Sequence, residues 1–448
     1  MSPHERFSFS SSAELLLRAK KLGVDLPFTE DLSGLFEKGT VASREVPNRL
    51  VVHPMEGFDS EPDGSPSDRV FRRYGRYAGG GSGVIWFEAA SVAAEGKSNP
   101  HQMMLTENNP DRFKLLVEKT RNTARETFGS SHEVFCILQL THSGRFSKPE
   151  ARSTPHVAQY IPDLDEDVSQ IKILSDRELD TLQEQFVHSA KLAFAAGFDA
   201  VDIKACHGYL VNDLLASFTR TDSHYGGSFA NRTRFLLETI QKIKAEVPGL
   251  ILAVRLSVFD GIPHPFGFGV SRDLTCVEDL EEPISLIGRL AENGCSLLNI
   301  TLGNPHKKPY LGRPFDRHVP DSTVPAEHPL EGIGRLLRLT GRIQKVFPEA
   351  PCVGTGYSWL RQFFPHVGAA VVKRGEASFI GLGRSSFAYP EAPRDLMEKG
   401  FLNLKKVCVT CSCCTELTRA GLPTGCVIRD REVYSRDYKA YMRKWRAG

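Results

Sequence analysis

After residue 48 the chain alternates short apolar, β-branched runs with longer runs whose apolar residues recur at helical spacing. The short runs fall at 50–53, 83–87, 134–140, 200–203, 250–256, 296–301, 352–354 and 378–380. Strands of continuous apolar character are buried on both faces, and strands separated by helices build a parallel sheet covered on both sides. Eight such units in one chain predict a closed (β/α)8 TIM barrel, α/β in class. The helical stretches carry their own punctuation. Ser175 and Glu178 are spaced as a capping box, Leu179, Leu182, Phe186 and Ala190 follow on one face, and Gly197 supplies a stop. Leu236, Ile240, Ile243 and Val247 form a second stripe before Pro248 and Gly249. Both stripes read as core packing. Residues 1–48 predict a helical lead-in over 13–22 and an irregular approach to the first strand. Residues 49–395 make the barrel, and 396–448 an appended segment that is cysteine-rich and then basic.

Composition narrows the class. Hydrophobic residues are 41% of the 448 and charged ones 25%, which permits a large core and excludes global disorder. A formal charge of +2, with no long basic run, gives no reason to expect nucleic acid or a membrane surface as partner. No apolar stretch approaches the roughly 20 residues that span a bilayer, and the opening MSPHERFSFSSSAELLLRAKK lacks a signal-peptide pattern, so a cytoplasmic protein is expected. Five of the ten cysteines, Cys136, Cys206, Cys276, Cys295 and Cys352, are scattered, whereas Cys408, Cys411, Cys413, Cys414 and Cys426 crowd together. In a cytoplasmic chain such crowding favours metal over disulfides. The order Cys408-x2-Cys411-x2-Cys414-x11-Cys426 offers the four thiolates of a [4Fe–4S] cluster. Zinc is the alternative, although four-cysteine zinc sites usually pair two separate C-x2-C units. Cys413 competes with Cys414 for the third place. One residue after Cys411 leaves little room for both side chains to face one cluster, which favours Cys414.

In such barrels chemistry gathers where the strands end. The turns Gly354-Thr-Gly356 and Gly381-Leu-Gly383-Arg384 follow the seventh and eighth strands. Free backbone amides there, with the donor fork of Arg384, suit a phosphate, although Gly-x-Gly alone marks only a tight turn. Gln139 can serve both a donor and an acceptor on a heterocycle's edge. Arg255 can stabilise an anionic reduced ring, with a structural ion pair as the plainer alternative.

The motifs HPMEG at 53–57, QLTHSGR at 139–145, AVDIKACHGYL at 200–210, RTDSHYGGSFANRTRF at 220–235 and GLGR at 381–384 stand in the order of a known family. By these the chain resembles the Old Yellow Enzyme family of NADH:flavin oxidoreductases over roughly three quarters of its length. Its cysteine tail is similar to that of the 2,4-dienoyl-CoA reductase and trimethylamine dehydrogenase branch. The resemblance implies FMN as cofactor. Pro54, Met55, Glu56, Ala89 and Gln139 would lie at the isoalloxazine, Arg255 at its N1–O2 edge, and Gly354, Gly356, Gly383 and Arg384 at its phosphate. Tyr209 matches the family's proton donor, and His306 a histidine that works beside it, unless His306 is a loop residue without a task. Lys204 and His207 take the positions that bind the substrate oxygen. Where many relatives have histidine this chain has Lys204, which puts the usual enones in doubt and suits an anionic group such as a carboxylate. A salt bridge to a neighbouring carboxylate is the alternative.

By the same resemblance Cys408, Cys411, Cys414 and Cys426 hold the [4Fe–4S] cluster, and an FAD- and dinucleotide-binding module follows it in the relatives. No G-x-G-x-x-G fingerprint follows Cys426 here, so that module is expected to be missing. NAD(P)H would then reduce FMN directly, or a separate electron-transfer protein would do so. The basic stretch 436–446 could dock one, though a solvated terminal helix explains it as well. The expected partners are thus a small-molecule substrate, such a protein, and a second copy of the chain in a homo-oligomer. The leading expectation is an ene-reductase acting on an α,β-unsaturated carbonyl, carboxyl or enoyl-CoA-type compound. Competing with it are an amine dehydrogenase or demethylase that drains electrons through the cluster, and a non-catalytic electron-transfer subunit.

Overall fold

A computed structural model of the chain describes residues 4–447 apart from 166, 274, 320, 321 and 323. Eight parallel strands close on themselves. They are β1 (Leu50–Val52), β2 (Val84–Ser91), β3 (Phe135–Thr141), β4 (Ala200–Ala205), β5 (Ile251–Ser257), β6 (Cys295–Thr301), β7 (Cys352–Gly354) and β8 (Phe379–Leu382). Each lies within two residues of a predicted strand at its start. Continuous apolar character is the reason: the strands have helices on one side and the barrel interior on the other.

The outer layer is built from α1 (Ser12–Lys21), α2 (Asp68–Ala78), α3 (Pro110–Phe128), α4 (Asp176–Ala195), α5 (Phe229–Glu246), α6 (Glu281–Glu292), α7 (Pro329–Val346) and α8 (Phe364–Lys373). The Ser175–Glu178 capping box forms as predicted, and Leu179, Leu182, Phe186 and Ala190 are all buried. The stripe Leu236, Ile240, Ile243 and Val247 is buried too. The approach to β1 departs from expectation. It holds an antiparallel hairpin of Gly39–Val41 and Arg44–Val46, joined through Ala42 at φ 52°. A turn residue other than glycine in the left-handed region removes the usual hairpin signal.

That hairpin plugs the lower mouth. Val41 and Val46 pack with Val51, Trp86, Ile137, Leu297 and Phe379 in an apolar layer inside the barrel. Above it the inward residues turn polar, and register decides which meet: Gln139 pairs with Asp202, and Arg255 lies between Lys204 and Asn299. The stretch 220–235, the longest family word in the sequence, is scaffold. Arg220 donates to Asp176 at 2.7 Å and to the Ala158 carbonyl at 2.9 Å. Arg232 donates to Glu282 at 2.7 Å and covers the Phe218 ring at 3.6 Å.

The cysteine segment, with α9 (Cys413–Arg419) and α10 (Arg431–Ala447), lies across the upper mouth. Polar contacts dock it. The Thr424 amide donates to the Gly57 carbonyl at 2.6 Å, Asp430 accepts from Arg72 and Arg76, and Ser412 donates to the Arg317 carbonyl. The expected boundary at 395 falls inside the helix Ala392–Lys399. Among the described residues no helix is long and apolar enough to cross a membrane.

Candidate active site

The C-terminal ends of the strands enclose a cavity of about 230 Å³. Its walls bring together Pro54, Met55, Glu56, Gln139, Lys204, His207, Tyr209, Arg255, His306, Gly356, Gly383 and Arg384, all singled out from the sequence. Two expected residues are not on the wall. Ala89 is fully buried, with its carbonyl accepting from the Gln102 side chain at 3.0 Å, and the register between β2 and β3 shifts between Phe87 and Ala90. That shift redirects the strand end beyond what alternation predicts. Gly354 is enclosed inside β7, where a Cβ would meet the Tyr357 hydroxyl at 2.7 Å, so it makes room for that ring.

At the cavity floor Asp202 organises three donors. Gln139 Nε2 and the Arg255 amide each lie 2.6 Å from its oxygens, and Trp86 Nε1 lies at 2.9 Å. Burial pushes the Asp202 carboxyl up to about 6, although each of these donors, and the Arg255 charge, opposes the shift. The histidines are held neutral. Burial, and then the Arg255 charge, keeps His53 and His207 well below the usual imidazole range, and Lys204 adds to this at His207. His53 Nδ1 lies 3.2 Å from Asn299 Nδ2, and His207 Nε2 3.2 Å from Thr301 Oγ1. His306 is exposed at the mouth, stacked on Phe146 with centroids 3.6 Å apart. Desolvation, followed by the charges of Arg419, Lys148, Arg313 and Lys204, lowers its imidazole.

Lys204 lies where the sequence reading allowed either an anion-binding head or a salt bridge. The salt bridge is what forms: Nζ donates to Glu56 Oε1 at 2.8 Å, with 5% and 11% of the two side chains exposed. Tyr209 donates to the same oxygen at 3.3 Å, and Ser98 donates to Glu56 Oε2 at 2.9 Å. Burial, and then Glu56, raises the Tyr209 phenol well above its usual range, so it carries its proton at neutral pH.

The cavity also offers donors that the protein leaves open. His53 Nε2, Arg255 Nε, Thr355 Oγ1, Arg384 Nη1 and Arg313 Nη2 are buried with no hydrogen-bond partner among the described residues. Buried polar atoms are nearly always satisfied, so a group of them around one cavity fits a polar, anionic ligand. Arg313 and Arg419, also on the wall, were missed in the sequence because they come from the β6–α7 loop and the cysteine segment. Arg313 is bound to Thr415 at 2.9 Å.

Residues 34–282 match the NADH:flavin oxidoreductase / NADH oxidase family. The chain belongs to that family. The match covers β1 to β5 and stops before His306, Gly356, Arg384 and the cysteines. An NADH oxidase of Thermoanaerobacter brockii is 27% identical over 390 residues, 84% of this chain and 52% of the relative. An NADPH dehydrogenase of Clostridium acetobutylicum is 32% identical over 216 residues, 48% of this chain and 60% of the relative. The chain thus spans between half and two thirds of the length of these relatives. Its fold is shared with 2-naphthoyl-CoA reductase in complex with 2-naphthoyl-CoA (TM-score 0.70, 20% identity, covering 90% of this chain and 57% of that one). It is also shared with histamine dehydrogenase from Rhizobium sp. 4-9 (TM-score 0.67, 22% identity, 89% and 52%). For a family of flavin oxidoreductases, these open side-chain donors, Arg255 and Arg384 among them, fit a flavin mononucleotide, an anionic ligand with a polar ring edge.

The cysteines line a second, smaller cavity, and Arg384 is on the wall of both. Among the described residues no three His, Cys, Asp or Glu side chains are gathered tightly enough to hold a metal ion, so the expected cluster site is not assembled by the thiols alone. The segment nonetheless fits a thiolate-bound group in its donors. The Thr410 and Arg429 amides point at Cys408 Sγ and Cys426 Sγ, each at 3.4 Å. Thr410 and Ser412 take left-handed φ of 46° and 62°, which curls the C-x2-C-x2-C turn. Cys414 faces Arg384, Cys411 and Arg313, whereas Cys413 faces Cys411 and Tyr438 and packs with Leu417 and Tyr434.

Proposed function

We propose that this chain is an FMN-dependent ene-reductase that reduces the C=C bond of an α,β-unsaturated carbonyl, carboxyl or enoyl-CoA-type compound. The observation that carries the reading is a buried phenol, Tyr209, on the wall of a cavity whose floor presents Gln139 and Arg255. When bound there, FMN supplies the hydride. The protein's own residues do the rest. Arg255 holds a fixed positive charge against the ring edge, Gln139 is oriented by Asp202, and Gly356, Gly383 and Arg384 take the phosphate. Tyr209 gives a proton to the substrate carbon next to the activating group. His306, neutral and stacked on Phe146, lines the substrate's approach. The likeness to 2-naphthoyl-CoA reductase supports the reductive direction and a thioester class of substrate.

Electrons come from NAD(P)H, either directly or through a separate protein. Cys408, Cys411, Cys414 and Cys426 would carry a [4Fe–4S] cluster as a one-electron relay beside Arg384. A second reading, amine oxidation with electrons leaving through that relay, is favoured by the likeness to histamine dehydrogenase.

The test is anaerobic. Enzyme reduced by NAD(P)H is mixed with an enoyl acceptor, and flavin reoxidation is followed in the native protein and in Tyr209→Phe. General-acid removal should slow it by about 10²–10⁴-fold. Equal rates in the two proteins would remove Tyr209 as the proton donor, and turnover only with an amine and an artificial acceptor would replace the reductase by the second reading.

A further inference from the structure

Lys204 stands where the family resemblance expects a group for the substrate oxygen, yet its ammonium is spoken for elsewhere. It donates to Glu56 and lies 3.4 Å from the centroid of the Tyr209 ring. A cation over an aromatic face is attracted by the ring's negative face, and more strongly once the phenol has lost its proton and the ring has gained charge. Glu56 acts in the opposite sense, since it accepts from the phenol and disfavours the phenolate. The other charged or titratable groups facing this trio are Arg255 from β5, Cys206 and His207 from the end of β4, and His306 from the loop after β6.

We propose that Lys204 is an electrostatic partner of Tyr209, placed to stabilise the negative charge left when that phenol gives up its proton, and that Glu56 holds Lys204 against the ring. The proposal rests on the reading of Tyr209 as proton donor. In the step, the Tyr209 O–H bond breaks and a C–H bond forms at the substrate carbon next to the activating group. The electron pair of that new bond comes from the C=C bond, whose other carbon takes the hydride supplied by the bound flavin. The tyrosinate stays beside the Lys204 ammonium until water reprotonates it. Lys204 is thus a positioning residue acting through Tyr209.

The test uses the FMN-loaded protein with Tyr209 replaced by a difluorinated tyrosine, whose phenol ionises at a lower pH than that of tyrosine. Its absorbance is titrated in the otherwise native protein, in Lys204→Met and in Glu56→Gln. Lys204→Met should move the ionisation up by about one pH unit, the size of one cation–π contact, and Glu56→Gln should move it down. With native Tyr209, Lys204→Met should lower kcat about tenfold on an uncharged enone with little change in KM, and Lys204→Arg should restore part of it. If loss of the pairing cation unfolds Lys204→Met, the double variant Lys204→Met with Glu56→Gln is titrated against Glu56→Gln alone. An unmoved ionisation, or a rise in KM with kcat intact, would make Lys204 a substrate ligand and overturn the proposal. Unchanged turnover in Tyr209→Phe would instead remove the proton-donor reading beneath it, a result the titration cannot mimic.

Discussion

The cavity in the barrel and the cavity among the cysteines share Arg384 but are made in different ways. The first is assembled by strand register. Gln139, Asp202, Lys204, Arg255 and Asn299 sit on paired strands, so the backbone ladder fixes their relative positions before any ligand arrives. The second is made of turns laid over the barrel mouth and held by contacts such as Thr424 to Gly57 and Asp430 to Arg72. Its thiols line one space without closing on a common point. A ladder can preform a site, whereas a turn-built thiolate site takes its final geometry from the ion that binds it.

That contrast is broken most sharply by removing a thiol. Cys408→Ser or Cys414→Ser should strip nearly all iron and the broad brown absorption from anaerobically purified protein while the flavin bands remain. Cys413→Ser, whose side chain faces Tyr438, should keep both. Iron retained in Cys414→Ser and lost in Cys413→Ser would reverse the assignment of the third ligand. Loss of flavin together with iron would show that the barrel site is not independent of the tail.

The next largest effect is expected at Arg73, which joins the two regions. Its guanidinium is buried and meets Asp59 and Glu88 at 2.7 Å, Glu88 accepts from the Gly57 amide at 2.6 Å, and Tyr434 of α10 lies at 3.5 Å. Arg73→Met leaves two carboxylates buried without their cation, which should cost about 3–5 kcal/mol in denaturant unfolding. Arg69→Met, whose ion pair with Asp437 is solvent-exposed at 3.7 Å, should cost less than about 1 kcal/mol. A loss confined to the tail, read as proteolysis of α10 before the barrel melts, would show that Arg73 serves docking more than the barrel.

Much of this was legible in the sequence, and the failures have identifiable causes. The barrel could be read because its strands are mostly apolar runs, and the functional layer because polar residues such as Gln139, Lys204 and Arg255 interrupt those runs toward their C-terminal ends. The salt bridge of Lys204 was foreseeable in kind, but its partner Glu56 is 148 positions away in sequence and is supplied only by closure of the barrel. Ala89 lies off the cavity wall beside an irregularity in register that leaves no trace in composition. Arg313 and Arg419 were missed because they reach the cavity from segments with no periodicity. The word at 220–235 was informative about family, yet its arginines brace helices and touch no part of the site.

Arg384 sharpens the comparison at the shared wall. One of its nitrogens donates to the Pro314 carbonyl at 2.7 Å and another is open toward the cavity. Arg384→Ala should weaken FMN binding by about 10- to 100-fold, the loss of one charge-assisted hydrogen bond, measured by fluorescence titration of the apoprotein. Undiminished affinity there, with a loss in Arg313→Ala, would move the phosphate from the turn after β8 to the loop after β6.

The smallest expected effect separates the ladder-built site from the rest by pH. The Asp202 carboxyl is pushed up to about 6 by burial, against about 4 in the unfolded chain. A carboxyl whose folded value is raised binds its proton more tightly when folded. Its contribution to stability is therefore present below about pH 4 and is lost as pH rises through about 6. Between pH 5 and 6 this group's own contribution should fall by about 1 kcal/mol, against the rise that the neutral histidines His53 and His207 give over the same range. It is therefore read as the difference in urea midpoint between native protein and Asp202→Asn at the two pH values. Asp202→Asn lacks this falling contribution, so its urea midpoint should rise more steeply from pH 5 to 6 than that of the native protein. Equal pH responses in the two proteins would mean that Asp202 binds its proton no more tightly folded than unfolded. The raised carboxyl at the flavin floor would then be refuted, leaving Asp260 behind Asn212, also raised to about 6 by burial, as a site of its own.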